Sequence, residues 1–405
     1  MQTMGELSSM QTMGELSYDF VAPRQIVFGW GRRAEAGRLG QQLGRRALVI
    51  CGSGTLAAQG RLEEILANLR AAGVETVLLE TLRSEPQVAD VDRLTATVRS
   101  YGPAEGDFVL AVGGGSAIDL AKAVAAMATE RQSDTVRDYL ENVGRNLQLQ
   151  SQPLPVMAMP TTAGAGAEAT RNAVISCYDP PFKKSLRDTR IMPQVALVDP
   201  ELCVSVPASI TAASGMDAIT QLIESYISRR ARPIPQALAL QGLRLAVGAI
   251  SQAVKDGHCR PAREAMSHAA LLSGMALANS GLGMAHGVAA ALGTVCRVPH
   301  GLACAVMLPV ALRVNRQVRQ AELARLAHAA FPQHRPASAE AAVEMFIQCI
   351  EQLCREVGIP ERLSALGVRR EHIPDIVAGS RGTSMSGNPR DLSDAELTEL
   401  LEAML

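Results

Sequence analysis

From Tyr18 to about Cys203 the chain alternates short, mostly apolar runs with amphipathic stretches. The runs at 46–51 (RALVIC), 76–79 (TVLL), 108–112 (FVLAV), 156–159 (VMAM) and 195–198 (VALV) predict strands, with an edge strand expected near 26–28. Between them, segments such as 59–72 and 90–101 repeat apolar residues at helical spacing. Alternating strands and helices of these lengths build βα units around a parallel sheet. After Pro207 the texture changes to long Ala/Leu/Met-rich stretches with a period near 3.6, and nothing reads as a strand. The pattern therefore predicts an α/β N-terminal domain with a parallel sheet over 18–205 and an all-α C-terminal domain over 206–405. A cleft between two such halves is a common place for a ligand.

Residues 1–17 stand apart from this pattern. MQTMGELS is followed by Ser9 and then by MQTMGELS again, a tandem duplication expected to be disordered or a start-site artefact.

The composition narrows the partners. A chain of 405 residues with 39 Lys+Arg against 40 Asp+Glu has no basic field for a phosphate backbone, and 3% aromatics leave little for stacking bases, so no nucleic-acid partner is expected. No run of 18 or more consecutive apolar residues and no basic-then-apolar leader is present, which predicts a cytoplasmic protein with no membrane partner. The eight Cys are scattered without a C-x-x-C pair and read as small buried hydrophobes rather than as disulfides or a zinc ribbon.

Two constellations carry chemistry. In the first, the run 107–112 leads into Gly113-Gly114-Gly115-Ser116 and then a helical stretch containing Asp119 and Lys122. Three glycines permit a tight turn and close backbone approach, and the amides at a new helix N-terminus favour an anion such as phosphate. Ser116 is expected to cap that helix. The spacing is neither G-x-G-x-x-G, since Ile118 stands at the last glycine, nor a Walker A loop. A second loop, Pro160-Thr161-Thr162-Ala163-Gly164, follows the next strand, and two such turns on neighbouring strands suit a dinucleotide.

In the helical half, Asp217 and Gln221 lie four residues apart on one helical face, and His286 and His300 each precede a glycine. A carboxylate and two imidazoles from separate segments can hold a first-row divalent ion with an open position. The remaining histidines, 258, 268, 328, 334 and 372, show no partner pattern, and His268 reads as structural.

Together with PRQIVFGWG (23–31), GGGSAIDLAK (113–122), PTTAGAGAEAT (160–170), VDPEL (198–202), SGMDAITQLIESYIS (214–228), NSGLGMAHGVAAALG (279–293), PHG (299–301) and NPR (388–390), these residues resemble the iron-containing (group III) alcohol dehydrogenases, relatives of glycerol dehydrogenase and dehydroquinate synthase. The resemblance spans nearly the whole chain from Tyr18. It implies a dinucleotide-binding α/β domain followed by a helical domain, with cofactor and metal meeting in the cleft, and a homodimer. It further implies that Gly113, Gly114, Gly115 and Ser116 receive the cofactor pyrophosphate, that Thr161 and Thr162 contact the cofactor, and that Asp119 and Lys122 line its nicotinamide end.

The metal site departs from the family pattern. Asp217, His286 and His300 match three ligands of the iron-dependent members, but Gln221 occupies the position of a histidine, and Ala290 replaces a further histidine that many relatives carry. An amide oxygen is a weak ligand for iron or zinc, whereas Asp–His–His is the set that resembles zinc-dependent glycerol dehydrogenases; the metal is expected to be Fe2+ or Zn2+. At the end of the first long strand, where many NAD-preferring relatives place an Asp toward the adenosine ribose, this chain has Gly52-Ser53, which favours NADP(H) at least as much as NAD(H). The expected reaction is metal-assisted hydride transfer between a nicotinamide and a small alcohol, aldehyde or ketone, with Asp217, His286 and His300 at its centre. The alternatives are a metal-independent reductase resembling maleylacetate reductase, and a catalytically silent nucleotide-binding relative.

Overall fold

The computed structural model describes residues 17–52, 54–82 and 84–405, so Ser53 and all but the last residue of the duplicated N-terminal segment lie outside the described residues. The first half contains β1 (Gln25–Phe28), α1 (Ala36–Leu43), β2 (Arg46–Cys51), α2 (Gly54–Ala58), α3 (Arg61–Ala71), β3 (Glu75–Thr81), α4 (Val88–Ser100), β4 (Asp107–Gly113), α5 (Gly115–Thr129), β5 (Val156–Pro160), β6 (Asn172–Tyr178), β7 (Pro181–Arg187) and β8 (Val195–Val198). Six strands form a parallel sheet in the order β1-β8-β5-β4-β2-β3. The inner strands β4, β5 and β8 are buried at every residue and β2 at all but its first, because helices cover both faces of the sheet.

The chain leaves β2 outward to β3 and then returns to place β4 on the other side of β2. That reversal opens a crevice at the carboxyl ends of β2 and β4, the usual ligand position in doubly wound sheets. Every strand expected from the apolar runs is present, whereas the antiparallel hairpin β6–β7 is an addition. Its second strand packs against the helical half.

That half comprises α6 (Ala208–Ile227), α7 (Pro233–Lys255), α8 (Arg260–Ala278), α9 (Met284–Cys296), α10 (His300–Asn315), α11 (Gln320–Ala330), α12 (Ala339–Glu356), α13 (Ile373–Gly379) and α14 (Asp394–Glu402). Helix α6 is its axis, buried at every residue from Gly215 to Ile227. At 23 residues and a mean hydropathy of 1.3, α7 is long and apolar enough to cross a membrane. Its buried face of Ala239, Gly242, Leu243, Ala246 and Ile250 packs on α6 and α8, with 39% of the apolar stretch buried.

The first and last parts of the α/β half are tied together. Asp199 accepts from the backbone amides of Gly31 and Arg33, and the Arg33 guanidinium reaches Asp199 at 3.0 Å, joining the segments 23–31 and 198–202.

Candidate active site

The crevice continues as a cleft of about 820 Å³ lined by both halves of the chain. Its floor on the α/β side is the glycine turn. Gly52 and Gly113 are pressed together there, with the Gly52 amide donating to Val112 at 2.8 Å. A Cβ on Gly52 would sit 2.6 Å from the Ala117 Cβ, and one on Gly113 would sit 2.7 Å from the same atom. Close approach of the β2 and β4 turns to α5 thus demands glycine at both positions.

Helix α5 begins at Gly115 with Gly114 as its N-cap, and no side chain caps it. Ser116 lies inside the first turn, which corrects its expected capping role and leaves the first amides available to a phosphate. The Thr161 amide donates to the Gly113 carbonyl at 3.0 Å, and the Thr162 hydroxyl lies beside Gly114, so the second loop abuts the glycine turn.

Of the two residues expected at the nicotinamide end, Asp119 reaches the cleft and Lys122 does not. The Asp119 carboxylate borders the cleft but accepts the Val174 amide at 3.0 Å. Lys122 is fully buried and absent from the lining, with its ammonium donating to the Ala167 carbonyl at 2.9 Å and the Thr170 hydroxyl at 3.0 Å, and pairing with Asp119 at 2.9 Å. It pins α5 to the 167–172 segment.

On the helical side Asp217 comes from the middle of α6, His286 from the first turn of α9 and His300 from the start of α10. The glycines after the two histidines permit this convergence. A Cβ on Gly301 would meet the Ala213 carbonyl oxygen at 2.7 Å, and one on Gly287 would meet the Met385 Cβ at 3.1 Å. The imidazole rings of His286 and His300 are 5.6 Å apart, and His286 Nε2 lies 3.3 Å from Asp217 Oδ1.

Behind them stands a residue that sequence reasoning missed. Glu224, two turns along α6 from Asp217, places its carboxylate 2.7 Å from His286 Nδ1 and accepts the amides of Gly283 and Ala285 at 3.0 and 2.8 Å. That contact fixes the ring so that Nε2 points toward Asp217, the arrangement of a carboxylate–histidine–metal relay. Cys304, one turn after His300, was read only as a hydrophobe; its donor atom and those of Asp217, His286 and His300 all lie within 4.8 Å of one another.

The cluster fits a divalent metal. Asp217 Oδ1, His286 Nε2 and His300 Nδ1 are buried without a hydrogen-bond partner, an arrangement that is costly unless something else satisfies these atoms. Burial acts to raise the Asp217 carboxyl, but the adjacent His286 and His300 imidazoles hold it below its ordinary value. Burial and the nearby Lys183 ammonium push His300 down to about 4, which keeps it neutral as a ligand must be. Gln221 borders the cleft, yet its Oε1 accepts the Ser273 hydroxyl at 2.8 Å and its Nε2 donates to the Ala165 carbonyl at 3.3 Å. Its amide is engaged by the protein, unlike the three unpartnered donors.

Comparison with known proteins agrees with this geometry. The family described as iron-containing alcohol dehydrogenase matches residues 23–200, and its C-terminal region, described as the Fe-containing alcohol dehydrogenase family, C-terminal, matches residues 211–405. The chain belongs to the iron-containing alcohol dehydrogenase family. It is 31% identical over 388 residues to the NAD-dependent methanol dehydrogenase of Bacillus methanolicus, covering 96% of this chain and 100% of that protein. It is 30% identical over 400 residues to the NADPH-dependent butanol dehydrogenase of Clostridium saccharobutylicum, covering 95% and 97%. The crystal structure of a 1,3-propanediol oxidoreductase superposes with a TM-score of 0.89 at 31% identity, covering 96% of this chain and all of that one. The protein is an NAD(P)-dependent alcohol and aldehyde oxidoreductase, and the metal-independent and silent alternatives have no support in these likenesses.

Proposed function

We propose that the cleft binds NAD(P)H along the glycine turn and reduces a small aldehyde or ketone, or oxidises the corresponding alcohol, against the Asp217–His286–His300 cluster. The observation that carries this reading is the meeting of the two elements in one cleft, with Gly114, Gly115, Ser116, Thr161 and Thr162 on one wall and Asp217, His286 and His300 on the other. The free amides at the start of α5 would receive the pyrophosphate, and Gly52 would leave room at the adenosine end. When bound, a divalent metal supplies Lewis acidity that stabilises negative charge on the substrate oxygen. Asp217, His286 and His300 would hold it, while Glu224 orients His286 and the apolar wall around Ala290 and Leu282 limits water.

Ala290 brings no proton carrier to the wall where it lies, one turn after His286. A proton would therefore reach the alkoxide from water or another cleft group. Glycine at 52 brings no carboxylate from that position to repel a 2′-phosphate, which supports use of NADP(H) at least as readily as NAD(H). β1 is an edge strand with Ile26 exposed, a surface suited to pairing in a homodimer. No disulfide forms among the described residues, which supports a reducing cytoplasm.

The test is a panel of short alcohols and aldehydes with NADH and NADPH, each with and without added Fe2+ or Zn2+. Metal-stimulated turnover of short substrates supports the proposal, and absence of turnover throughout the panel contradicts it.

A further inference from the structure

The family reading leaves the metal one ligand short at Gln221, and the structure shows another donor in its vicinity. Cys304 Sγ is buried on α10 one turn after His300, 3.7 Å from His300 Nε2. It also lies within interaction distance of Asp217 and His286. Around a tetrahedral zinc ion, bond lengths of about 2.0–2.1 Å to nitrogen or oxygen and about 2.3 Å to sulfur place adjacent N and O donors about 3.3 Å apart and adjacent N and S donors about 3.5–3.6 Å apart. The 3.3 Å edge between Asp217 Oδ1 and His286 Nε2 is close to the first of those values, and Cys304 Sγ lies within 4.8 Å of a ligand atom from each of Asp217, His286 and His300. Asp217 Oδ1 and His286 Nε2 are buried with no hydrogen-bond partner, whereas the Gln221 amide is occupied by Ser273 and Ala165.

We propose that this chain holds its divalent metal with Asp217, His286, His300 and Cys304, the cysteine on α10 replacing the ligand that Gln221 on α6 does not supply. The inference rests on the metal-assisted reading above and deepens it. One carboxylate and one thiolate neutralise a divalent ion, and a thiolate among imidazoles favours zinc or cobalt over Fe2+. Binding as a thiolate would displace the thiol proton.

The experiment is titration of the metal-free full-length protein with Co2+, read by absorption spectroscopy, with zinc affinity measured by competition against a chromophoric chelator. Wild-type protein is expected to show a sulfur-to-cobalt charge-transfer band in the near ultraviolet. C304S is expected to lose that band and to bind zinc about 100-fold more weakly or worse, whereas Q221A is expected to keep both the band and the affinity within about threefold. The wild-type spectrum needs no variant, so a misfolded C304S leaves the proposal testable, and C304A provides a second substitution. Cobalt bound by wild type without a sulfur band overturns the Cys304 proposal while leaving the metal reading intact, as does a Q221A loss matching that of C304S. Failure of the wild type to bind either metal overturns the metal reading itself.

Discussion

The imidazole Nδ1 of His286 lies 2.7 Å from the Glu224 carboxylate, and the same carboxylate accepts two backbone amides at the start of α9. One buried acid therefore does two things: it orients a metal ligand and caps the helix that carries it. E224Q keeps the shape but removes the charge, and it is expected to weaken zinc affinity about 10- to 100-fold while leaving the fold intact. E224A also strands the amides of Gly283 and Ala285, and is expected to lower stability by about 3 kcal/mol or more in denaturant unfolding. Unchanged metal affinity in E224Q would remove Glu224 from the site.

Lys122 separates a structural role from a cofactor role. Its fully buried ammonium holds α5 to the 167–172 segment, so K122M is expected to lower stability by about 3 kcal/mol or more, because it leaves Asp119 without its cation and the carbonyls around it unpaired. In the folded fraction the KM for NADPH should stay within about threefold. A large rise in KM without loss of stability would restore the cofactor contact implied by the family resemblance.

The glycine turn makes a steric prediction. G113A places a methyl group 2.7 Å from the Ala117 Cβ and 2.8 Å from the Gly52 amide nitrogen. Overpacking of this kind costs about 1–3 kcal/mol. Because the backbone that must shift is the one proposed to receive the pyrophosphate, cofactor affinity measured by fluorescence titration should fall together with stability.

Glu168 gives the protein a pH-dependent stability. Fully buried, its carboxyl is pushed up to about 7 by desolvation, against only partial relief from a backbone hydrogen bond and from Lys122. A carboxyl with a folded pKa above its ordinary 4.5 favours folding fully below that value, and the contribution disappears as pH rises through 7. Stability should therefore fall by up to about 3 kcal/mol between pH 4.5 and 8 from this group alone. E168Q is expected to be more stable than wild type at pH 8 and close to it at pH 5, as measured by urea unfolding. An equal difference at both pH values would rule out this titration.

The central strands were legible because burial on both faces makes each a short apolar run; 195–198 matches β8 residue for residue. The hairpin β6–β7 was not, since NAVISCY and PFKKSLR mix polar and apolar residues and Lys183 and Lys184 on the second strand border the cleft. Asp217, His286 and His300 could be found because each sits in a distinctive local pattern, two of them before a glycine that close packing requires. Glu224 and Cys304 carry no such signature. A glutamate in a buried helix and a cysteine in an Ala-rich one become informative only when α6, α9 and α10 are brought together. Spacing did offer one clue, since Cys304 follows His300 by a single helical turn. Lys122 misled for the converse reason: a motif shared with a phosphate-binding turn says nothing about which way a residue two turns into the helix points.

The most direct test is to measure metal content and turnover on the same preparation. After exhaustive chelation, aldehyde reduction with NADPH is expected to fall at least about 100-fold, corresponding to the loss of several kcal/mol of charge stabilisation, while NADPH still binds. One equivalent of Zn2+ or Fe2+ per chain should restore it, and D217N should abolish that rescue. Full turnover by protein shown to be metal-free by elemental analysis would contradict metal-assisted hydride transfer at Asp217, His286 and His300.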